Sequence, residues 1–274
     1  MKRKITSIAP AILLIAVMFI VNGCRKDRDN DMDDTLGYDT GIFESVSNDV
    51  DNMLGQVVQD GTVNQRLASA SNQFNLSGCA VINHDTLNNI ITIDFGNGCT
   101  GSDGRTRSGS ITISYTGGYF VSGSLHTMSF SNFYVDGRRI EGVRTITNNG
   151  LNGSGNMNWT VVATNMKMTR SDGFWRAWNS TRNREMTQGF GDFLWSNDVY
   201  RINGTASGNN SNGNSFSMTI TNLLRDNSCF WIRSGTIAIT PTNGLTRTID
   251  FGAGACDDQA TVTVGSQTRS ITLR

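Results

Sequence analysis

Apolar and polar residues alternate with a period of two through most of the chain between Gly78 and Arg274. Alternation of this kind is typical of β-strands that have one buried and one solvated face. Turn sequences such as Asn148-Asn149-Gly150 and Asn212-Gly213 separate the runs, because Asn and Gly tolerate positive φ. The pattern predicts an antiparallel meander that either curls upon itself or folds into two layers. The alternating runs include Ile91/Ile93/Phe95, Ile111/Ile113/Tyr115, Met157/Trp159/Val161, Phe216/Met218/Ile220, Ile237/Ile239 and Val262/Val264.

A helical period precedes these strands. Apolar residues recur there at i, i+3, i+4 and i+7, which predicts one amphipathic helix over about residues 41–60, packed against the sheet. Asp39-Thr40 is the expected N-cap and Gly61 the expected stop. A weaker pattern predicts a second helix from Val63 to Ser71. The fold class is therefore mainly β, with an N-terminal helix on the sheet.

Residues 1–23 have the pattern of a secretory signal peptide. The basic Lys2-Arg3-Lys4 precedes an apolar run from Ile8 to Val21, which is shorter than the roughly 20 residues that a membrane-spanning helix needs. The sequence Val21-Asn22-Gly23-Cys24 then predicts cleavage before Cys24 and acylation of its thiol, so that an N-terminal lipid binds the membrane. Cleavage without lipidation is the alternative, which the asparagine two positions before the cysteine favours.

Residues 24–38 form a predicted disordered tether, since Arg25–Asp34 is dense in charge and contains almost nothing to bury. Residues 39–274 are predicted to form a single β-rich domain. The acidic cluster behind Cys24 resembles the signal that sends Bacteroidota lipoproteins to the outer face of the outer membrane. A solvated linker that carries no sorting signal is the alternative.

The charge balance argues against nucleic acid as a partner. Without the three basic residues of the signal peptide, 20 Lys and Arg stand against 23 Asp and Glu, and nucleic-acid binding needs a basic surface. Only Lys26 and Lys167 remain beside 18 arginines. Guanidinium groups favour carboxylate, phosphate or sugar ligands, although genome composition and solvated strand faces are the plainer explanation of this bias.

An internal repeat organises the cysteines. The copies, at about residues 78–115 and 228–273, each contain a cysteine, a predicted hairpin, the motif T-I-D-F-G-x-G and a second cysteine. Export predicts disulfides among Cys79, Cys99, Cys229 and Cys256. Local pairing of Cys79 with Cys99 and of Cys229 with Cys256 is the simplest arrangement, and pairing between the copies is the alternative. Without a CxxC pair and with only two histidines, we predict no metal and no cofactor.

The T-I-D-F-G-x-G-x-C repeats, the loop Cys99–Gly109 and the turn Gly204–Gly208 resemble those of an uncharacterised family of hypothetical Bacteroidota lipoproteins. The resemblance spans most of the mature chain. It implies an outer membrane lipoprotein that faces the periplasm or the cell surface, and it implies no activity or catalytic residue.

Little in the sequence favours catalysis, and we predict no catalytic residue. His84 and His126 are expected to be solvent-exposed and neither adjoins a nucleophile. Asp94 and Asp250 occupy equivalent repeat positions, where a carboxylate that accepts turn N–H groups is a plainer reading than a glycosidase pair. Asp103 lies in a Gly-rich loop that has too few oxygen ligands for calcium.

The segment 174–195 is the best candidate for binding. Exposed aromatic rings flanked by arginine are suited to sugars, whereas core or lid packing is the alternative explanation for these aromatic residues. The predicted ligand contacts are Trp175, Trp178, Phe190, Phe193, Trp195, Arg182 and Arg184.

These patterns leave three classes of function. The leading prediction is a non-catalytic binding or structural module of the envelope, whose partner is a glycan, an envelope polymer or a protein. The first alternative is an acyl-chain carrier with a cavity inside the curled sheet. The second is a glycoside hydrolase with two carboxylates in one cleft.

Overall fold

The computed structural model describes residues 35–58, 76, 80–192 and 194–273, and Asp33–Arg274 forms one compact unit. The predicted signal peptide, Cys24 and the predicted helix at residues 63–71 lie outside the described residues. The elements are helix α1 Thr35–Val58, the short 3₁₀ helix η1 Trp195–Asn197, and the strands β1 Val81–Asp85, β2 Ile90–Asp94, β3 Cys99–Thr100, β4 Thr106–Tyr115, β5 Leu125–Val135, β6 Arg138–Leu151, β7 Met157–Thr169, β8 Trp175–Gln188, β9 Val199–Asn210, β10 Ser215–Asp226, β11 Ile232–Pro241, β12 Arg247–Ala253, β13 Gln259–Val264 and β14 Gln267–Thr272.

The strands form one antiparallel sheet, which confirms the mainly β prediction. Successive strands are neighbours, with β1 and β14 at the two edges and the two-residue β3 paired with β4 beside β2. Arg105, in the loop before β4, lies 5.5 Å above the ring centroid of Trp231, just before β11. Six strands separate β4 from β11 in the sheet. The sheet therefore curls upon itself and is not divided into two layers.

Alternation within the strands places the core on the inner, concave face. In β4, Ile111 and Ile113 are fully buried and alternate with hydroxyl side chains. Ile249 of β12 pairs with Val262 of β13 in register, and both are fully buried. Because successive strand residues point to opposite faces, the same alternation keeps Ser and Thr on the outer face.

Bulges in the sheet increase its curvature. At three of them a glycine with positive φ lies against an asparagine with positive φ on a neighbouring strand. A Cβ at Gly142 would lie 2.7 Å from the carbonyl oxygen of Asn165, so only glycine fits there. Bulges add local twist, which helps the sheet to enclose the helix. The pairs are Gly109/Asn132, Gly142/Asn165 and Gly235/Asn222.

Helix α1 extends further towards the N-terminus than predicted. The helix begins at Thr35, within the segment predicted as tether, and Asp39 and Thr40 are inside it rather than capping it. The Thr40 hydroxyl donates to the carbonyl oxygen of Leu36 at 2.7 Å, one helical turn earlier. The predicted end at residue 60 lies outside the part of the chain that the structure describes.

The helix is buried on its polar side as well as its apolar side. Leu36, Tyr38 and Gln56 are partly buried, and every other helix residue from Gly37 to Val57 is buried. A surface helix would expose its polar face. The helix is thus enclosed by the sheet and does not simply lie on one face of it.

Two glycines bring the helix close to the last strands. A Cβ at Gly37 would lie 2.7 Å from Cγ1 of Val262, and one at Gly41 would lie 2.7 Å from Cδ2 of Leu273. Contacts this short do not occur between real side chains, so the absence of a side chain at both positions permits the approach. Gly41, expected as the first helical residue, instead serves the packing against Ile271 of β14 and Leu273, the residue after β14.

The two repeat copies form the two ends of the sheet, β1–β4 and β11–β14. Cys229 and Cys256 are joined by a disulfide with a Cα–Cα distance of 5.7 Å, which confirms local pairing in the second copy. Cys99 is also disulfide-bonded. Cys79, its predicted partner, lies outside the described residues, and that pairing stays a prediction.

Candidate functional site

Arginine side chains from the inner face of the sheet bind the polar side of α1. Arg107 of β4 donates to both carboxylate oxygens of Asp49, from Nε at 2.8 Å and from Nη2 at 2.5 Å. Arg182 of β8 binds Glu44 in the same way, at 2.7 and 2.5 Å. Such two-point contacts fix the orientation of both groups. We call Arg107, Arg144, Arg176, Arg182 and Arg184 the inner arginines; their helix partners are Asp39, Glu44, Ser47, Asp49 and Asp51.

Burial and charge act in opposite directions on these groups. Burial lowers the pKa of Arg182, but the facing Glu44 carboxylate more than offsets this effect, and the net pKa is raised. At Arg144 burial outweighs the attraction of Asp51, and the pKa is lowered. Guanidinium groups nevertheless stay protonated in proteins. The interior of the sheet therefore contains charged pairs.

Arg184 is surrounded by three aromatic rings. Its guanidinium carbon lies 4.9 Å from the ring centroid of Tyr200, 5.3 Å from that of Trp159 and 5.6 Å from that of Tyr119. The Asp51 carboxylate is 3.8 Å away. Burial raises the pKa of the Tyr200 phenol, which keeps it neutral. Aromatic faces stabilise a cation. The three rings therefore stabilise the Arg184 guanidinium, whose distance to the Asp51 carboxylate is too long for a strong ion pair.

The structure revises the predicted ligand contacts at Trp178, Arg182 and Arg184. All three lie on the inner face of β8 and are at most 4% exposed. Trp178 packs edge-to-face on Phe43 of the helix, and the two arginines face helix carboxylates. They contribute to the interior and not to an outer ligand surface. The prediction fails here because a charged residue in an alternating strand is normally assigned to the solvated face.

Four apolar side chains are exposed on three connections at one end of β8. Val121, between β4 and β5, is 59% exposed; Leu151, at the end of β6, is 58% exposed; Phe190 and Leu194, between β8 and β9, are 49% and 59% exposed. Phe120 contacts one of them, Phe190, and the two ring centroids lie 6.0 Å apart. Clustered exposed apolar residues mark contact sites in soluble proteins. We call Phe120, Val121, Leu151, Phe190 and Leu194 the apolar end surface.

Aromatic contacts connect this surface to the interior. The Phe120 ring lies 5.9 Å from Trp159 and meets it edge-to-face, and Trp159 in turn lies 6.1 Å from Tyr200. The Trp159 indole N–H donates to the carbonyl oxygen of Tyr119 at 3.2 Å. Phe190 is therefore the outermost member of an aromatic series that ends around Arg184.

Side-chain hydrogen bonds order the connection that carries Phe190 and Leu194. The Asp192 carboxylate accepts the Leu194 backbone N–H at 2.9 Å and the Asn197 side-chain amide at 2.6 Å. The Asn227 amide donates to the carbonyl oxygen of Trp195 at 2.9 Å. A surface built on fixed loops loses less conformational entropy when it binds.

The remaining predicted ligand contacts differ in position. Phe190 belongs to the apolar end surface, and Trp195 is half-buried in η1 on the same connection. Trp175 lies at the other end of β8, where the Lys167 ammonium sits 5.2 Å from its ring centroid. Phe193 lies outside the described residues. The structure thus does not bring the described aromatic residues of segment 174–195, which exclude Phe193, into one platform.

His126 is buried and not exposed as predicted. It is 2% exposed on β5, between the rings of Tyr115 and Tyr119. Burial lowers its pKa to about 4, so the imidazole is neutral near neutral pH. His84 is half-buried and lies 2.6 Å from the Tyr115 hydroxyl through Nε2.

The repeated aspartates have the predicted structural role. The Asp94 carboxylate accepts the N–H of Gly96 and the Asp250 carboxylate accepts the N–H of Gly252, each at 2.8 Å. Asp103 accepts the Arg105 backbone N–H and also binds the Arg107 guanidinium. Within residues 35–58, 76, 80–192 and 194–273, no group of three metal-ligating side chains is found.

The opposite end of β8 meets the first turn of the helix. Arg176, at the start of β8, binds Asp39 at 3.1 Å. Leu36 lies there with the β9–β10 and β11–β12 turns. The chain therefore enters the helix at the end of the sheet remote from the apolar end surface.

Sequence reasoning missed the inner arginines and the contribution of Phe120, Val121 and Leu151. A signal was present in β8, where Arg176, Trp178, Arg182 and Arg184 all occupy even-numbered positions and therefore face the same side of the sheet.

No described helix is long and apolar enough to cross a membrane. Comparison with known proteins finds no family model, curated protein or solved structure that matches the chain.

Proposed function

We propose that the protein is an exported, lipid-anchored envelope lipoprotein whose β domain is a non-catalytic binding module, and that it docks a protein partner through the apolar end surface. The observation that carries the proposal is the exposure of Val121, Leu151, Phe190 and Leu194 on connections fixed by hydrogen bonds. Exposed apolar area of this kind is stabilised when a partner covers it.

The position of the surface favours a protein over the lipid bilayer. The tether between Cys24 and Thr35 contains about ten residues and reaches at most about 35 Å. Strand β8, with 14 residues, is about 45 Å long, and the chain enters the helix at its far end. A domain anchored through Cys24 would present the apolar end surface away from the membrane.

The other functions have less support. A glycan platform needs accessible ring faces, but Arg170 and Arg176 both lie over the Phe174 ring, at 5.1 and 5.4 Å. An acyl-chain carrier needs an apolar interior, and α1 with its ion pairs occupies that space. A hydrolase needs two available carboxylates, whereas Asp94 and Asp250 each serve a turn.

The docking proposal is tested by photo-crosslinking in intact cells of the source organism. A photoreactive phenylalanine analogue replaces Phe190 in one variant and Leu245 in the control. Leu245 is 57% exposed in the β11–β12 turn, at the opposite end of the sheet from the apolar end surface. We expect one discrete protein adduct from position 190, and we expect Leu194→Asp in the same chain to remove it.

Equal adducts from both positions, or an adduct that Leu194→Asp does not change, would refute the docking proposal. The anchor is tested separately, by metabolic labelling with an alkyne-bearing palmitate analogue. Wild-type protein should acquire the label and Cys24→Ala should not. An unlabelled wild-type protein would refute lipidation and leave the docking test unaffected.

A further inference from the structure

A cavity of about 240 Å³ lies at the end of the sheet remote from the apolar end surface. It is enclosed by the β9–β10 turn, the β11–β12 turn and Leu36 in the first turn of α1. We call it the turn pocket. Pockets for drug-sized ligands begin at about 300 Å³, so the turn pocket has room for a smaller molecule, of about the size of one sugar ring.

Cationic and amide-bearing residues line part of the turn pocket. They are Arg176 and Arg247, and Asn214 and Asn243. None of the residues that line it is an aspartate or a glutamate. The nearby Asp39 carboxylate is bound by Nε and Nη2 of Arg176, at 3.2 and 3.1 Å. Guanidinium groups recognise planar anions such as carboxylates, and amides complement hydroxyl groups.

Part of the lining of the turn pocket is apolar. Phe216, Pro241 and Leu36 contribute this part. Phe216 is 8% exposed and belongs to the hydrophobic core, so core packing fixes its position. Apolar lining with a few convergent polar groups is the usual composition of a small-molecule site.

Hydrogen bonds pre-form the walls of the turn pocket. The Asn210 side-chain oxygen accepts the backbone N–H groups of Asn212 and Asn214, at 3.0 and 3.1 Å. Thr242 donates to the carbonyl oxygen of Ser215 from its backbone N–H at 2.9 Å, which joins the two turns. A ligand therefore does not have to order these turns in order to bind.

We propose that the turn pocket binds a small organic carboxylate of sugar-ring size, such as a uronic acid, with its carboxylate towards Arg247. The site lies at the opposite end of the domain from the docking surface and does not depend on it. It also gives part of the arginine bias of the sequence a specific role.

The proposal is tested by NMR titration of the mature domain with sodium glucuronate at constant ionic strength. We expect saturable shifts of the backbone amides at residues 210–215 and 242–247, with a dissociation constant on the order of 1 mM. Glucose and acetate should each bind at least about tenfold more weakly, because each lacks one half of the recognised ligand.

Two variants test the residues. Arg247→Gln should weaken glucuronate binding about tenfold or more, and the matched control Arg233→Gln, a half-buried arginine paired with Asp226, should leave it unchanged. Asn243→Asp, at an exposed position, should also weaken binding, because it adds a like charge beside the carboxylate. Glucose or acetate bound as tightly as glucuronate, or unchanged affinity in both pocket variants, would overturn the proposal.

Discussion

The two sides of helix α1 pack against the same sheet by different means. On the β4–β8 side the inward strand positions carry arginines that pair with helix carboxylates. On the β13–β14 side they carry Val262, Ile271 and Leu273, which lie against a helix backbone bare of side chains at Gly37 and Gly41. A residue's place on the inner face is therefore set by strand register and not by its polarity.

The two sides of the helix also have different roles: the ion pairs orient the helix, and the glycines let it approach the sheet closely. Ion pairs at fixed spacing along the helix select one axial and rotational setting, whereas apolar contacts have no direction. Buried ion pairs add little net stability relative to apolar packing. We infer that the arginine side specifies where the helix sits and that the glycine side contributes more of its burial.

The largest expected effect comes from removing one half of an ion pair. Glu44→Ala leaves the Arg182 guanidinium buried without its carboxylate, and we expect the free energy of unfolding to fall by about 3–5 kcal/mol. Urea denaturation measures this loss. The double variant Glu44→Leu with Arg182→Met should recover most of it, since no charge is then left unpaired in the interior.

Glu141→Ala is the matched control, because the Arg139–Glu141 pair at 3.2 Å lies on the solvated side. Its loss should stay below about 1 kcal/mol. Similar losses for Glu44→Ala and Glu141→Ala would contradict the distinction between the enclosed and the solvated pairs.

The second largest effect concerns pH. The pKa of His126 is lowered to about 4, against about 6.5 in an unfolded chain. Between these two pH values the unfolded chain binds more protons than the folded protein. The contribution of the neutral His126 imidazole to stability is therefore complete above pH 6.5 and is lost as the pH falls towards 4. The loss amounts to about 3 kcal/mol.

Urea denaturation at several pH values measures this dependence. His126→Phe should remove that part of the slope, while His84→Gln should retain it. An unchanged slope in His126→Phe would show that the buried imidazole does not contribute to the pH dependence.

A smaller effect tests the glycine side. Gly37→Ala should improve helix propensity by up to about 1 kcal/mol, but its Cβ would meet Cγ1 of Val262 at 2.7 Å. Overpacking costs about 1–3 kcal/mol, so we expect a net loss of about 1–2 kcal/mol in thermal unfolding. Val262→Ala in the Gly37→Ala background should be less harmful than in the wild type. Additive losses would refute direct contact between the two positions.

The smallest effect compares the two repeat copies. Asp94→Ala and Asp250→Ala each remove one hydrogen bond to a turn N–H, and each should reduce stability by about 1 kcal/mol. Equal losses, measured by urea denaturation, would indicate that duplication preserved the same turn at both ends of the sheet. A loss confined to one copy would contradict that equivalence.

Sequence patterns predicted the parts of the fold that depend on local rules. The strand alternation, the aspartate turns and the Cys229–Cys256 disulfide are confirmed, because each depends on spacing within a few residues or within one copy. The start of the helix was misplaced because Asp39 and Thr40 match the preferences of an N-cap. Their actual contacts, with Arg176 and with Leu36, are made inside the helix.

The candidate site was only partly predictable for a related reason. The aromatic residues gathered in segment 174–195 predict Phe190 as a contact residue, and the structure places it on the apolar end surface. Val121 and Leu151 join it only because the meander brings three distant connections to one end. Arg182 and Arg184 have partners about 130 residues away in the chain, and nothing in a local window reveals such a pairing.

The order of the chain has a consequence for how the domain folds. The helix precedes the fourteen strands that the structure describes, yet Glu44 meets Arg182 across 138 residues of sequence. Contacts of such long sequence separation are slow to form, and folding rates fall as their share rises. Until the strands close around it, the helix exposes both its apolar stripe and unpaired carboxylates. A newly synthesised chain should thus expose aggregation-prone surface early in folding and depend on chaperones during that time.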